Sequence, residues 1–464
     1  MSTIVQENTR IIPNRQTNLT KEQKKAVGLL SIGTFLEYFD LLLYVHMAGI
    51  LNALFFEPTD PQTTSLMMAF AFCTTFVFRP VGAVIFGWLG DNIGRKFTVI
   101  ITTFMMAASC LVMANLPTYA QIGVVTATWI VTICRAAQGI SSMGEMTGAQ
   151  LYLTEMLKPP VQYASVGLMS VCGVLGGVGA LGIASLVTSH GFNWRLAFWF
   201  GAAVALVGSV ARTTLRETPE FADAKRQIKK VFEKANIDTA NLTNHPILQE
   251  KVNKKTVIAL LLLECASPVS FYFIYIYCAG ILKTNFGYTM AEVIHHNFIA
   301  CIIQLLIVLI VIYLSYKVYP LLIMKVTLII FSIFMLFCPY WFNNLHSPLE
   351  LLLIQSFILL FWQCDAPATP IFYKSFPVFK RFTYVSIIFA ISRALMYVIT
   401  AFAFTYLYDH FGHWGLWVVM IPIIISFAYG LFYFDKLAKE CGDLPIAHRD
   451  VAIYSEKNNY SSQL

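Results

Sequence analysis

The stretch Phe86-Gly87-Trp88-Leu89-Gly90-Asp91-Asn92-Ile93-Gly94-Arg95-Lys96 joins two long apolar runs and holds an acid and two cations among its glycines. A turn this tight requires glycine, because glycine accepts a positive φ and a close backbone approach without strain. Asp91 can cap the helix that follows, and its charge suits the positive dipole end of a neighbouring helix. Arg95 and Lys96 add fixed positive charge beside an apolar run. The stretch is therefore typical of a loop at a membrane face.

The composition is that of a membrane protein. Of the 464 residues, 57% are hydrophobic and 12% are charged, whereas soluble proteins carry about 25% charged residues. The formal net charge of +7 would suit a nucleic-acid binder, but the cations lie between apolar runs, so we expect no nucleic-acid partner. Nine of the ten cysteines lie inside apolar runs without metal-ligand spacing. We therefore interpret them as packing residues and expect neither a metal nor a cofactor.

The apolar runs predict the fold class. A bilayer core of about 30 Å requires roughly 20 apolar residues per helix. On that criterion the chain is an all-α membrane protein with twelve transmembrane helices in two pseudo-symmetric six-helix bundles, a layout typical of transporters. The predicted regions are a cytoplasmic N-terminal segment (1–25), an N-terminal bundle (26–213), a cytoplasmic linker loop (214–255), a C-terminal bundle (256–434) and a cytoplasmic tail (435–464). The predicted spans are 26–50, 64–89, 98–115, 122–155, 161–188, 195–213, 256–282, 290–314, 320–341, 348–374, 384–409 and 414–434.

The distribution of cations predicts the orientation. Of the 32 Lys and Arg residues, 27 fall in segments assigned to one side of the membrane, and three lie inside spans. The loops on the other side contain only Arg195 and Lys283. Because loops rich in Lys and Arg stay in the cytoplasm, both termini are expected there.

The first span contains two acids. Glu37, Asp40 and Tyr44 are spaced three and four residues apart, so a helix places them on one face near the middle of the bilayer. Two carboxylates this close do not both ionise readily, and we expect at least one of Glu37 and Asp40 to carry the coupled proton. The alternative is a buried acid paired with an arginine and a tyrosine hydroxyl, with no proton transfer during turnover.

Arginines in the second and fourth spans also require partners. Arg79 keeps its charge, so it must meet an acid or a substrate anion, and Glu37 or Asp40 is the expected acid. Arg135 begins a polar stripe in the fourth span that should face a cavity and bind substrate. A structural salt bridge explains Arg135 equally well. The stripe consists of Arg135, Gln138, Ser142 and Glu145.

The second half offers a further group of candidate substrate contacts. In the seventh span, Pro268 allows a bend between Glu264 and an aromatic run, whose rings suit a quaternary ammonium by cation–π attraction. Packing against lipid is the alternative for these rings. In the tenth span the polar candidates lie beside prolines, and Asp365 is the suggested partner of Arg393 in the eleventh span. The candidates are Glu264, Phe271, Tyr272, Tyr275, Trp362 and Asp365.

A gate is predicted at the loop that joins the second and third spans. Glu155 lies near the cytoplasmic end of the fourth span, level with this loop, and is the expected partner of Arg95. In the second half, the matching stretch 314–320 carries a tyrosine in place of the acid. The second gate is therefore expected to be held differently or more weakly. The predicted gating residues are Gly87, Asp91, Gly94, Arg95, Lys96 and Glu155.

Several motifs resemble those of a known family. The opening stretch resembles the G-x-L-x-D-x-x-G-R-[KR] loop of major facilitator superfamily transporters. Further motifs in the first half are similar to those of its metabolite:H+ symporter family, whereas the second half matches at few positions. Departures are Tyr38 in place of tryptophan, Met143 in place of glycine, and the lost second loop motif. The matching stretches are Ser31-x-Gly33-x-x-x-Glu37-Tyr38-Phe39-Asp40-x-x-x-Tyr44, Arg79-Pro80-x-Gly82-x-x-x-Phe86-Gly87-x-x-Gly90-Asp91, Gln138-Gly139, Gly144-Glu145-x-x-Gly148-Ala149 with Glu155, Trp194-Arg195-x-x-Phe198, and Arg212-x-x-Leu215-x-Glu217-Thr218-Pro219-x-Phe221.

The resemblance implies a proton symporter in a bacterial cytoplasmic membrane that moves osmolytes such as proline and betaine, or organic acids. A zwitterionic osmolyte is favoured, because arginines suit its carboxylate and aromatic rings its cationic nitrogen. An organic-acid symporter, a facilitator without proton coupling and a non-transporting sensor with the same fold remain alternatives. An enzyme is not expected, because no nucleophile–base spacing is present. The expected partners are the substrate, protons and the lipid bilayer, with the protein acting as a monomer.

Overall fold

The computed structural model describes residues 16–55, 74–190, 193–219, 222, 251–362 and 364–440. Most of the predicted linker and tail, and the first part of the N-terminal segment, therefore lie outside the described residues. Within them the secondary structure is helical. The main helices are α1 (Lys21–Phe55), α2 (Arg79–Asn92), α3 (Arg95–Asn115), α4 (Val124–Ser142), α5 (Gly148–Met156), α6 (Val161–His190), α7 (Arg195–Arg212), α8 (Lys254–Glu264), α9 (Ala266–Tyr272), α10 (Cys278–Phe286), α11 (Met290–Lys317), α12 (Pro320–Asn343), α13 (Pro348–Leu360), α14 (Thr369–Lys374), α15 (Val378–Phe411) and α16 (Leu416–Glu440).

The surface of the helices is apolar. Eight helical stretches of the described chain are long and apolar enough to cross a membrane, and Arg195–Gly208 and Pro348–Leu360 are shorter apolar helices. Large apolar side chains point outward, and Trp129 and Phe402 are 63% and 67% exposed. In water such a surface would be unfavourable, whereas in a bilayer it faces hydrocarbon. Charged side chains in the middle of the spans are instead buried, among them Glu37, Arg135 and Glu264.

Three predicted spans are broken helices. A π-helical turn (Met143–Thr147) joins α4 to α5, and a second one (Phe273–Tyr277) joins α9 to α10. In the tenth span a largely non-helical stretch separates α13 from α14. Each π-turn changes the helical phase, so residues on either side no longer follow one straight stripe. The stripe predicted from Arg135 to Glu145 is therefore interrupted at its last member.

Side chains from neighbouring helices stabilise the second π-turn. Gln355 on α13 donates from Nε2 to the carbonyl oxygen of Ile274 at 2.8 Å. Asn297 on α11 donates from Nδ2 to the carbonyl oxygen of Tyr275 at 3.3 Å. A carbonyl left unpaired in a membrane costs several kcal/mol, about the cost of an unsatisfied buried polar group. The two amides therefore stabilise the bend.

Glycines bring the two halves into contact at the loop stretch. α2 packs along α15, and a Cβ on Gly87 would lie 2.7 Å from the Cα of Thr383. A Cβ on Gly90 would overlap the ring of Phe382. Glycine is thus required here for close approach between helices. The sequence motif alone had suggested that these glycines serve the tight turn.

Gly87→Ala is expected to destabilise this contact by about 1–3 kcal/mol, the usual cost of overpacking. We expect a lower melting temperature for the purified protein and slower transport. Gly280→Ala on α10 is the matched control, because a Cβ there has no atom within 4 Å. It should leave the melting temperature unchanged or raise it. Equal melting temperatures for Gly87→Ala and the wild type would contradict the close approach.

Candidate functional site

A cavity of about 180 Å³ lies among helices of both halves. Helices α1, α2 and α6 form one side, and α9, α11, α12 and α15 with the break in the tenth span form the other. Five predicted substrate contacts line it: Arg79, Phe271, Tyr275, Trp362 and Asp365. Other polar and aromatic lining residues include Tyr38, His46, Phe76, Gln304, Arg393 and Tyr397.

Aromatic rings from three helices form one wall of the cavity. The ring of Phe271 lies 5.2 Å from that of Tyr275 and 6.0 Å from that of Tyr397. Phe76 lies 4.2 Å from Tyr397, so the wall crosses from one half of the protein to the other. Phe76 and Tyr397 were not among the predicted contacts, because nothing in their local sequence distinguishes them from packing residues.

Charged side chains provide the polar lining. Arg79 enters from the first half, whereas Arg393 and Asp365 enter from the second. Arg393 bonds to Glu264, with 2.6 Å between Nη1 and Oε2. The direct ion pair of Arg393 is therefore with Glu264 and not with Asp365, whose charge attracts Arg393 without direct contact. Asp365 lies in the helix break and instead accepts a hydrogen bond from the hydroxyl of Thr369, four residues on, at 2.8 Å.

A second, smaller pocket of about 10 Å³ encloses the acids of the first span. Arg79 lines both pockets, and its Nη2 lies 3.5 Å from Oε1 of Glu37. The expected pairing of Arg79 with an acid of α1 is thus present. Asp40 Oδ1 accepts a hydrogen bond from the thiol of Cys110 at 3.4 Å. Arg135 lines the same pocket, which collects two acids and two arginines, each at most 2% exposed.

Five predicted substrate contacts lie outside the cavity lining. Arg135 donates to Gln138 Oε1 at 2.9 Å and packs on the ring of Tyr44, 4.1 Å from its centre, so these three line or support the small pocket. Glu264 lies behind Arg393. Tyr272 packs behind the wall residues Phe76 and Tyr397 and stacks on Phe404 at 5.8 Å. The backbone of Glu145 lies in the first π-turn, and its side chain is outside the described part of the structure. The residues outside the lining are Tyr44, Arg135, Gln138, Glu264 and Tyr272.

The predicted gate is a buried ion-pair network. Arg95 donates from Nε and Nη2 to the two oxygens of Glu155, at 3.1 and 3.0 Å. Arg381 from the second half donates from Nη1 to the same carboxylate at 3.2 Å. Arg95 Nη2 also donates to the carbonyl oxygen of Val378 at 2.7 Å. One carboxylate therefore joins arginines of both halves, and Arg381 was not among the predicted gating residues.

Asp91 completes the contact between the halves. Its carboxylate accepts hydrogen bonds from the backbone N–H groups of Phe382 and Thr383, at 3.1 and 2.8 Å, near the start of α15. The interaction with a neighbouring helix was expected. The prediction that Asp91 also caps the following helix was wrong. Glu217 takes that position, because its carboxylate accepts a hydrogen bond from the backbone N–H of Arg95 at 3.0 Å.

Gly94 and Lys96 complete the turn. Gly94 has φ = +146°, and a Cβ there would overlap the carboxylate of Glu217. Lys96 is half-buried, and its backbone N–H donates to Glu217 at 3.4 Å. Glycine is needed at position 94 both for this φ and for the close carboxylate.

The matching end of the second half is organised differently. Lys325 on α12 and Lys439 on α16 bind the carboxylate of Asp435, at 2.7 and 2.9 Å. The acid therefore comes from the last helix and not from the loop. Among the described residues of that loop region, Tyr316 makes a hydrogen bond to the first half, at 3.4 Å to the carbonyl oxygen of Thr17. No group of three or more His, Cys, Asp or Glu residues in the described chain could hold a metal ion.

A family model described as Major Facilitator Superfamily matches residues 30–396. The chain belongs to this superfamily. Its structure is similar to that of the proton:xylose symporter XylE bound to 6-bromo-6-deoxy-D-glucose, with a TM-score of 0.72 and 16% identity over 89% of this chain and 95% of that chain. A double Trp mutant of XylE gives a TM-score of 0.72 at 14% identity, over 88% of this chain and 94% of that chain. At such low identity the similarity supports the fold alone.

Curated relatives match part of the chain. The proline/betaine transporter of Salmonella typhimurium is 27% identical over 274 residues, which is 57% of this chain and 54% of that protein. The inner membrane metabolite transport protein YhjE of Escherichia coli is 35% identical over 225 residues, 46% of this chain and 50% of that protein. The chain thus spans about half the length of the curated relatives it matches.

These findings confirm the predicted fold and class. The chain is a multi-pass membrane protein with the twelve-helix major facilitator fold. The prediction that the chain is not an enzyme is also confirmed, because it belongs to a superfamily of transporters.

Proposed function

We propose that this major facilitator protein is a symporter that imports a small zwitterionic osmolyte, such as proline or betaine, together with protons across a bacterial cytoplasmic membrane. The observation that carries the proposal is the shared position of Arg79. This side chain lines the cavity and also faces the buried acids of α1. A substrate and a proton bound at the two pockets would therefore both act on one guanidinium.

The cavity has the chemistry that a zwitterion requires. Arginines suit a carboxylate because the guanidinium fork can donate two hydrogen bonds. Asp365 and the wall that includes Phe271 and Tyr397 suit a cationic nitrogen, by charge and by cation–π attraction. The names of the curated relatives support the same substrate class. A dicarboxylate is the second candidate, favoured by the two arginines in the lining.

Coupling follows from the cost of buried charge. Glu37 and Asp40 are 1% and 2% exposed, and an uncompensated charge at this depth costs several kcal/mol. Protonation of one acid neutralises it and frees Arg79 or Arg135 for other partners. The proton then favours the state in which the loaded cavity is closed. It can do so only by the difference in proton affinity between the two states.

The gate network would open during the other half of the cycle. Asp91, Arg95 and Glu155 join the two halves at the end of the protein that carries the cation-rich loops. By the distribution of cations this end is cytoplasmic, with both termini on the same side. Inward opening would separate Arg381 from Glu155 and release the substrate.

Uptake into proteoliposomes tests the proposal. Vesicles with an inside-alkaline pH gradient should accumulate proline or betaine, and a protonophore should abolish the accumulation. Uptake at the same rate with and without a gradient would indicate a facilitator. Accumulation of succinate in place of zwitterions would indicate an organic-acid symporter. Binding without uptake would indicate a sensor.

A further inference from the structure

We propose that Arg393 anchors the carboxylate of the substrate in the second half of the protein, and that Glu264 is the buried counter-ion with which this carboxylate competes for Arg393. This inference rests on the proposed function, since it assigns a subsite within the same cavity. Neither residue takes part in the gate or in the acid pocket of the first half.

Only one nitrogen of the Arg393 guanidinium, Nη1, makes hydrogen bonds within the described residues. Its Nη1 lies 2.6 Å from Glu264 Oε2 and 3.0 Å from the hydroxyl of Ser392. Its central carbon lies 3.4 Å from the centre of the ring of Phe389. Within the described residues, Nε and Nη2 make no hydrogen bond. A guanidinium can bind a carboxylate through two nitrogens, and this one therefore retains donors for a second carboxylate.

The positions of the two charges make the site asymmetric. Arg393 lines the cavity, whereas Glu264 is 2% exposed and lies outside the lining. The cavity therefore meets the cation, and the acid stands behind it. Asp365 and Trp362 also line the cavity in this half. A zwitterion with its carboxylate on Arg393 can thus place its cationic nitrogen near Asp365 and the indole of Trp362.

Glu264 and the substrate compete for the same cation. When a substrate carboxylate occupies the donors of Arg393, the buried Glu264 loses part of its compensation, and this loss opposes binding. Removal of the Glu264 charge should therefore strengthen the binding of a carboxylate. An ion pair that only supports the fold predicts the opposite, because its loss would disturb the position of Arg393 and weaken binding.

The test compares two ligands that share a quaternary ammonium group. Glycine betaine carries a carboxylate and choline does not. With the purified full-length protein in nanodiscs, calorimetry should show that the wild type binds betaine at least about tenfold more tightly than choline, a difference of about 1.4 kcal/mol. Arg393→Gln should raise the Kd for betaine about tenfold and should not raise that for choline, because the guanidinium only repels the ammonium of choline. Glu264→Gln should lower the Kd for betaine by about threefold or more.

The controls separate binding from folding. Lys283→Gln removes an exposed cation outside the cavity lining and should change neither Kd. Melting temperatures report whether each variant is folded. If Arg393→Gln does not fold, two other single variants carry the test, Arg393→Lys and Glu264→Gln. Lysine keeps the positive charge but lacks the paired donors of the guanidinium. Unchanged betaine binding in a folded Arg393→Gln, or weaker betaine binding in Glu264→Gln, would overturn the proposal.

Failure of the proposed substrate class and failure of the Arg393 assignment give different results. If the wild type binds succinate and not betaine, the zwitterion proposal fails, and the same variants measured with succinate still test Arg393 as a carboxylate anchor. If the wild type binds none of these carboxylates, both proposals fail.

Discussion

Asp40→Asn is expected to abolish accumulation driven by a pH gradient while substrate exchange continues. A gradient of about one pH unit supplies about 1.4 kcal/mol per proton, enough for about tenfold accumulation. Asparagine has almost the volume of aspartate but cannot bind the coupled proton. The side chain is 2% exposed and lies in the small pocket with Arg135. Accumulation should therefore fall to a ratio of about one, because only uncoupled movement remains.

Counterflow measures exchange without net proton movement and should change little in the same variant. Asp409→Asn is the matched control, since Asp409 is an exposed acid near the end of α15. It should accumulate substrate like the wild type. Gradient-driven accumulation that persists in Asp40→Asn but is lost in Glu37→Gln would move the proton to Glu37. Persistence in both variants would exclude this pocket as the coupling site.

Glu155→Gln is expected to open the gate end of the protein. The wild-type carboxylate is buried and bound by Arg95 and Arg381, one from each half. Breaking a buried pair by removing one partner costs about 3–5 kcal/mol. A loss of about 3 kcal/mol in the closed state alone would shift the populations more than 100-fold toward opening. Accumulation of substrate should fall, because a gate that stays open cannot alternate.

Spin labels can report this opening. With cysteines introduced at Asn92 and Lys436 in a cysteine-free background, the distance between the labels should lengthen in Glu155→Gln. Glu22→Gln is the control, because Glu22 pairs with Arg216 at 3.2 Å and both side chains are mostly exposed. Such surface pairs contribute about 0–1 kcal/mol, so the distance should not change. The same distance in both variants would show that Glu155 does not hold the gate closed.

Local patterns were sufficient for several features of this protein. The length of the apolar runs predicted the helical membrane fold, because hydrophobic thickness alone sets the length of a span. The charges of α1 and α2 predicted that Arg79 would meet an acid, because a buried arginine requires a counter-ion. The loop motif likewise predicted the pairing of Arg95 with Glu155. In each case the constraint, span length or the cost of a buried charge, applies to a residue without regard to which distant helices pack around it.

Only the tertiary structure decided which distant helices supply the other side chains of the gate and of the cavity. Arg381 at the gate and Tyr397 in the cavity wall come from α15, about 230 to 320 residues from the parts of the first half that they meet. Arg393 binds Glu264 and not Asp365. A π-turn or a helix break changes the direction of every side chain beyond it. The sequence therefore determined that charges must be paired inside the bilayer, whereas packing between distant helices determined which charges meet.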